Sequence, residues 1–213
     1  SDDGTIKSKF KTVEGYFTEG VLIPTEDRKT ACVSSQIGCS LSCKFCATGY
    51  MDRKRNLNFD EIYDQVALLN LQSEKVYGNK LTNIVFMGMG EPLLNYKNVL
   101  KAIERISAED GLFMSQTRIT VSTAGVAKQI KQLGDDKVRF KLDLSLHAPT
   151  DAKRNQIMPI NETNNIKVLI EALNYFYKQT GNEITLEYIL FKNLNDSEQD
   201  ANDLIKIYRQ IPA

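Results

Sequence analysis

The sequence has no net charge, because 27 lysines and arginines balance 27 aspartates and glutamates. That balance argues against a protein that wraps duplex nucleic acid on a basic surface, although a local basic patch could still hold RNA. Long apolar runs are also missing. No stretch approaches the roughly 20 apolar residues of a membrane span, and the opening Ser-Asp-Asp-Gly is too polar for a signal peptide. The expectation is a cytoplasmic protein without membrane association. There is no low-complexity segment and no short-period repeat. Histidine is reduced to His147 alone, and cysteine is absent outside the segment from Cys32 to Cys46, which holds all four. A disulfide scaffold would spread its cysteines along the chain, so four thiols in one short segment point to metal binding or catalysis.

At 213 residues, one domain with a small appendage is the natural prior, long enough to bury a core without covalent staples. Residues 5–24 alternate and are interrupted by Gly15 and Gly20, which predicts a β-hairpin closed by Pro24. This hairpin defines an N-terminal extension over residues 1–27, followed by the main domain over 28–213. From residue 31 onward, strand and helix signals take turns. Strands are expected at 31–35, 82–87, 118–122, 140–146 and 183–191. A helix starts at Asn58, with Glu61 completing a capping box and Gly78 as its stop. Further helices are marked by Val99, Leu100, Ile103 and Ile106; by Val126, Ile130 and Leu133, stopped at Gly134; by Ile166, Leu169, Leu173 and Phe176; and by Ala201, Leu204, Ile205 and Tyr208. Five βα units in a row imply a parallel sheet with right-handed helical crossovers. The fold class is therefore α/β, a parallel sheet with its helices outside; the resemblance carried by the motifs that follow implies a partial (β/α)6-type barrel whose sixth strand is missing.

In such folds ligand sites lie at the carboxyl ends of the strands. The unusual residues fall there. The cysteine loop follows the first strand, Gly88-Met89-Gly90-Glu91-Pro92 the second, and Ser122-Thr123-Ala124-Gly125 the third; Ser145-Leu146-His147 ends the fourth. Each has an ordinary reading beside the functional one. The glycine segment could be a tight turn with a capping acid, Ser122 and Thr123 could cap the next helix, and His147 could be a satisfied, half-buried side chain.

Cys39, Cys43 and Cys46 stand at C-x3-C-x2-C spacing. A four-iron cluster usually takes four thiolates, so three leave one iron for a non-protein ligand such as an amino acid's amine and carboxylate. A zinc site is the competing reading, but zinc favours paired C-x2-C knuckles and four protein ligands. The loop, with Phe45 before its last cysteine, resembles the signature of the radical S-adenosylmethionine (SAM) superfamily. The resemblance implies a [4Fe-4S] cluster on Cys39, Cys43 and Cys46. It also implies S-adenosyl-L-methionine as cofactor, cleaved by one electron to a 5′-deoxyadenosyl radical. Phe45, Gly90, Glu91, Ser122, Ser145, Leu146 and His147 are then the expected cofactor contacts.

Longer stretches are more specific. Cys32-Val-Ser-Ser-Gln-Ile-Gly-Cys39, Cys46-Ala-Thr-Gly49, Arg55-Asn-Leu57, Met87-Gly-Met-Gly-Glu-Pro-Leu-Leu-Asn95, Ser145-Leu-His-Ala-Pro149 and Met158-Pro-Ile-Asn161 together resemble the RlmN/Cfr family of RNA adenine methyltransferases. Pro92-Leu-Leu-Asn95 is similar to the RlmN branch, which methylates carbon 2 of adenine. The family resemblance implies rRNA, with tRNA as a second substrate, an electron donor such as flavodoxin or ferredoxin, and a monomer. In the implied mechanism one cysteine carries a methyl group, while a second takes the ring proton and closes a disulfide that releases the product. Cys32 matches the second role and Glu19 a proton acceptor. A buried core thiol and a surface glutamate are the ordinary readings of these two.

The sequence departs from the family pattern where the methyl-carrying cysteine should stand, since no cysteine follows Cys46. With Ser1 at one end and Ala213 after Pro212 at the other, the chain reads as a core fragment, expected to bind cluster and cofactor without completing methyl transfer. Arg53, Lys54 and Arg55 are candidate phosphate contacts or simply a solvated charged loop. Carbon-8 methylation, another radical SAM activity such as glycyl-radical activation, and a non-catalytic zinc-binding βα domain are the alternatives.

Overall fold

The computed structural model describes residues 3–212; the two ends read as cut, Ser1 and Ala213, lie outside them. The chain forms two compact units. One comprises the chain up to Ser40 together with Met51–Val121, and the other comprises Leu41–Tyr50 together with the chain from Ser122 on.

The first unit opens with β1 (Ile6–Lys11) and β2 (Phe17–Pro24), the expected hairpin. β2 also pairs antiparallel with β3 (Lys29–Cys32), so the hairpin continues the main sheet. β3 is shorter than the expected 31–35. Val33 still donates to the Val85 carbonyl at 3.0 Å, but Ser34 and Ser35 leave the ladder for other partners. A two-residue strand, β4 (Gln36–Ile37), then pairs with β5 (Arg55–Asn56). Neither is long enough to show a periodic pattern. α1 (Phe59–Tyr77) has the predicted ends, with the Asn58–Glu61 capping box at one and a left-handed Gly78 at the other. Ile62, Val66 and Leu69 form its buried stripe. β6 (Asn83–Phe86) lies parallel to β3, and β7 (Ile119–Thr123) parallel to β6. Between them, α2 (Tyr96–Ser107) buries Val99, Ala102, Ile103 and Ile106 and packs against α1.

The second unit takes the last residues of β7 and continues with α3 (Ala127–Asp135), β8 (Lys141–Ser145), α4 (Asp151–Ile157), α5 (Ile166–Thr180), β9 (Ile184–Glu187) and α6 (Glu198–Tyr208). β8 and β9 run parallel, with Asp143 opposite Thr185 and Ser145 opposite Glu187. Gly134, expected as a stop, lies inside α3. A Cβ there would sit 3.3 Å from the Phe176 Cα, so the glycine lets α3 close on α5. α6 turns the expected Leu204, Ile205 and Tyr208 towards Ile184, Leu186 and Tyr188 of the β9 segment, with which they line an open groove, so Leu204 is half-buried and Ile205 and Tyr208 keep much of their surface exposed. Ala201 is exposed and Ile207 is buried. Asp200, buried in its first turn, accepts from Ser197 and Lys153. β9 ends at Glu187 because the next residues turn around Asn195, whose amide binds the carbonyls of His147 and Ile189. The fold is thus α/β with βα alternation and mostly parallel strands, as expected. Among the described residues no helix is long and apolar enough to cross a membrane.

Candidate cofactor site

In the first unit the glycine segment after β6 is held by its neighbours in sequence space far away. Ser34 Oγ accepts from the Met89 N–H at 2.8 Å and donates to the Glu19 carbonyl at 2.6 Å. The Met89 carbonyl in turn accepts from Ser35 and Gln36. A side chain on Gly88 would meet the Val33 backbone at 2.7 Å. Gly90 has φ of 96°, a conformation that excludes most side chains, and a Cβ there would overlap Gln36. Gln36 uses Oε1 to accept from the Glu91 N–H at 2.9 Å and Nε2 to donate to Asn56 at 2.7 Å. The buried Glu91 carboxylate accepts from the Leu93 N–H at 3.0 Å and so caps the short 3-10 turn Pro92–Asn95. The capping role is therefore present in this structure.

Cys32 closes β3, half-buried, opposite Val21 and beside Val85. Strand alternation puts Glu19, two residues before Val21, on the same face, away from buried Thr18, Gly20 and Leu22. Glu19 is ion-paired with Lys7 at 2.7 Å and keeps 45 % of its side chain exposed. Of the three basic residues singled out, Arg55 is committed to Glu61 and Glu14, whose carboxylates hold its charge. Arg53 donates to Asn56, and Lys54 pairs loosely with Asp52 at 3.6 Å.

Cys39 belongs to the first unit and Cys43 and Cys46 to the second. All three are half-buried. Left-handed Gly38 and Ser42 bend the loop. The Cys46 N–H donates to the Cys43 carbonyl at 3.2 Å, and Gly49 packs so tightly on Cys43 that a Cβ would lie 2.5 Å from its carbonyl oxygen. The four cysteines form no disulfide. Among the described residues no three Cys, His, Asp or Glu side chains stand together as a metal site. Soft thiolate donors suit an iron–sulfur cluster and zinc alike, so the three cysteines fit a cluster by chemistry and spacing.

The second unit assembles the other expected contacts. The Phe45 ring meets the His147 ring edge-on at 4.9 Å and lies 5.5 Å from Phe191. His147 is buried and sits at φ of 55°. Its Nδ1 accepts from the Ile189 N–H at 3.2 Å, which places the ring proton on Nε2. Burial pulls its pKa down to about 4; the Glu187 carboxylate works against that and Arg154 with it. Near neutral pH the ring is an uncharged donor.

Neither Ser122 nor Thr123 caps α3. Thr123 binds the Gly125 N–H, and the Ala127 N–H goes to Asn164. Ser122 Oγ instead donates to Glu187 at 2.8 Å, and Ser145 Oγ donates to the same carboxylate oxygen at 2.8 Å. The Glu187 carbonyl accepts from the N–H groups of Leu146 and His147.

Two organising residues lie outside the expected set. One is Glu187. The other is Arg154, fully buried on α4, which donates to the carbonyls of Leu146 (3.0 Å), Ala124 (2.6 Å) and Ser145 (3.1 Å) and to Asn161. Burial lowers its pKa to about 10, with Cys43 and Asp151 pulling the other way. The only sequence signal for α4 was Thr150, its N-cap.

Comparison with known proteins gives a concordant picture. The model of the radical SAM superfamily matches residues 33–205. A probable dual-specificity RNA methyltransferase RlmN of Cytophaga hutchinsonii is 62 % identical over the whole chain, which covers 58 % of that relative. The dual-specificity RNA methyltransferase RlmN 2 of Myxococcus xanthus is 45 % identical, with 57 % of it covered. The chain therefore spans less than two thirds of these curated relatives. A crystal structure of a radical SAM methyltransferase from Sphaerobacter thermophilus superposes on the whole chain with a TM-score of 0.96 at 41 % identity, covering 62 % of that protein. Streptococcus suis SuiB bound to S-adenosylmethionine shares the fold, at TM-score 0.54 and 17 % identity over 83 % of this chain and 37 % of its own.

Proposed function

The chain belongs to the radical SAM superfamily, and from that premise we propose that it is the core of an RNA methyltransferase that acts on carbon 2 of an adenine in rRNA and tRNA. The similarity to RlmN proteins along its entire length supports this activity, and the placement of Cys32 on β3 and Glu19 on neighbouring β2, on one face of the sheet, carries it. A [4Fe-4S] cluster with S-adenosylmethionine would supply the one-electron chemistry that starts the reaction. Cys39, Cys43 and Cys46 would hold the cluster. The left-handed Gly90 opens backbone to the cofactor, and Glu91 offers a carboxylate to its amino group. Phe45, Ser122, Ser145, Leu146 and His147 would hold the remainder of the cofactor.

Cys32 is a thiol outside the cluster set, on a half-exposed strand end, where it can take the ring proton and then form a disulfide. Glu19 beside it would accept a proton, with Lys7 holding its carboxylate in place. Cys32 is the one cysteine of this sequence not assigned to the cluster, so a methyl-carrying cysteine would come from residues outside it. A flavodoxin- or ferredoxin-type donor would supply electrons to a cytoplasmic monomer.

The test is product mapping. The complete gene product containing this sequence, reconstituted anaerobically with iron and sulfide, should give 2-methyladenosine in RNA with S-adenosylmethionine and a reductant. The C32A variant should stall before product release. An 8-methyladenosine product would transfer the assignment to carbon 8, and colourless protein carrying zinc would overturn it.

A further inference from the structure

One carboxylate touches more of the expected cofactor contacts than any other group in the second unit. Glu187 ends β9, directly opposite Ser145 on β8. Its Oε2 accepts from Ser122 Oγ and from Ser145 Oγ, both at 2.8 Å, and its carbonyl accepts from Leu146 and His147 at 3.0 and 3.2 Å. A hydroxyl has one proton to give, and a carboxylate gives none. With both serine protons spent on Glu187, the two hydroxyls, 3.4 Å apart, have only lone pairs left for anything else.

We propose that Glu187 is a positioning residue that fixes the Ser122–Ser145 pair as a double hydrogen-bond acceptor for O–H or N–H donors of the bound cofactor. This rests on the reading that S-adenosylmethionine binds at these serines. The donors are the ribose hydroxyls, since the ammonium group is the proposed partner of Glu91; a loss that followed the ammonium instead would reassign that group from Glu91 to the pair. His147, its proton on Nε2, supplies a donor two residues after Ser145. The segment from Ser145 to His147 thus carries both polarities, and Glu187 anchors the acceptor half.

The discriminating variant is E187M. It keeps length and bulk but removes the oxygen to which both serines donate. The serine protons are then released and turn outward, where they oppose a ligand donor. The probe is S-adenosylhomocysteine, titrated by calorimetry into the anaerobically reconstituted protein. Affinity should fall about tenfold in E187M, the usual effect of one mismatched buried hydrogen bond. E187Q, whose amide oxygen can stand where Oε2 does and accept from both serines, should recover most of the loss. In the S122A/S145A background E187M should have no further effect. A structural role alone would instead lower the thermal midpoint of E187M and leave no dependence on the serines.

5′-Methylthioadenosine, which keeps the ribose and lacks the amino group, tells the donors apart. A similar loss with this probe assigns the ribose, and a loss confined to S-adenosylhomocysteine assigns the ammonium. Parent affinity in E187M, or an undiminished loss in the double-serine background, overturns the proposal alone. Failure of the parent protein to bind S-adenosylhomocysteine overturns the cofactor reading and the proposal with it.

Discussion

The glycine segment of the first unit and the serine cluster of the second solve the same problem with different means. Around Gly88 and Gly90 the chain offers backbone. Glycine removes side chains, a left-handed φ sets the turn, and Ser34 and Gln36 hold its amides. Around Ser122 and Ser145 the chain offers side chains, whose orientation depends on two charged groups, Glu187 and Arg154, from other elements. In the first, the glycines that shape the turn are adjacent in sequence, although Ser34 and Gln36 hold it from 55 positions away. The second exists only after strands far apart in sequence have paired. The first should fail by steric conflict and the second by loss of a charge network, and variants can separate the two.

The largest effect is expected at Arg154. Its removal in R154A leaves the carbonyls of Ala124, Ser145 and Leu146 buried without this donor and opens a cavity, costing about 4 kcal/mol in urea denaturation. R154K retains the charge but not the planar fork that reaches several acceptors at once, and should recover less than half of the loss. A fully recovered R154K would show that charge alone organises this cluster. G90A comes next. It places a methyl group in a left-handed backbone against Gln36, and about 3 kcal/mol of destabilisation follows from strain and overlap together. Adding Q36G removes the overlap, whose closest atom is the Gln36 Cβ, but leaves the φ penalty, so the double variant should be less impaired than simple addition implies. Strict additivity would break the contrast, because the turn would then fail for backbone reasons only.

This contrast also explains what could be read before folding. Asn58, Glu61 and Gly78 act on their own helix within a few residues, so α1 was legible with its ends. The glycine segment was legible as a tight turn because backbone conformation is local. Glu187 was not. It lies in the apolar run from Ile184 to Phe191, reads as one more strand residue, and meets Ser145 from 42 positions away. Arg154 stands in a polar run from Asp151 to Gln156 that has the composition of a solvated helix face, yet its guanidinium is buried. Gly134 signals a helix end by its type alone, whereas the close approach of Phe176 gives it a different use. Tertiary packing, not local preference, decided each of these.

The smallest effect, and the one that sharpens the comparison most, lies beneath the serine cluster. Asp143 is buried on β8 opposite Thr185, and desolvation raises its pKa to about 6, with Glu187 adding to the shift and the Thr185 hydrogen bond opposing it. The folded protein thus holds the Asp143 proton more tightly than the unfolded chain does. Near pH 4 and below, both states are protonated and nothing is lost. As pH rises towards about 6, the unfolded chain releases its proton first, stability falls, and above that range the loss is complete. D143N cannot titrate and keeps an acceptor for Thr185. It should therefore match the parent near pH 4 and exceed it by about 2 kcal/mol near pH 7.5, read from urea denaturation at both values. An advantage independent of pH would trace to packing, and a deficit at the higher pH would mean that the charged form is used by the fold. The expected result would make the second unit's strand face a place where charge is tolerated at a cost in stability, next to the carboxylate that the serines require.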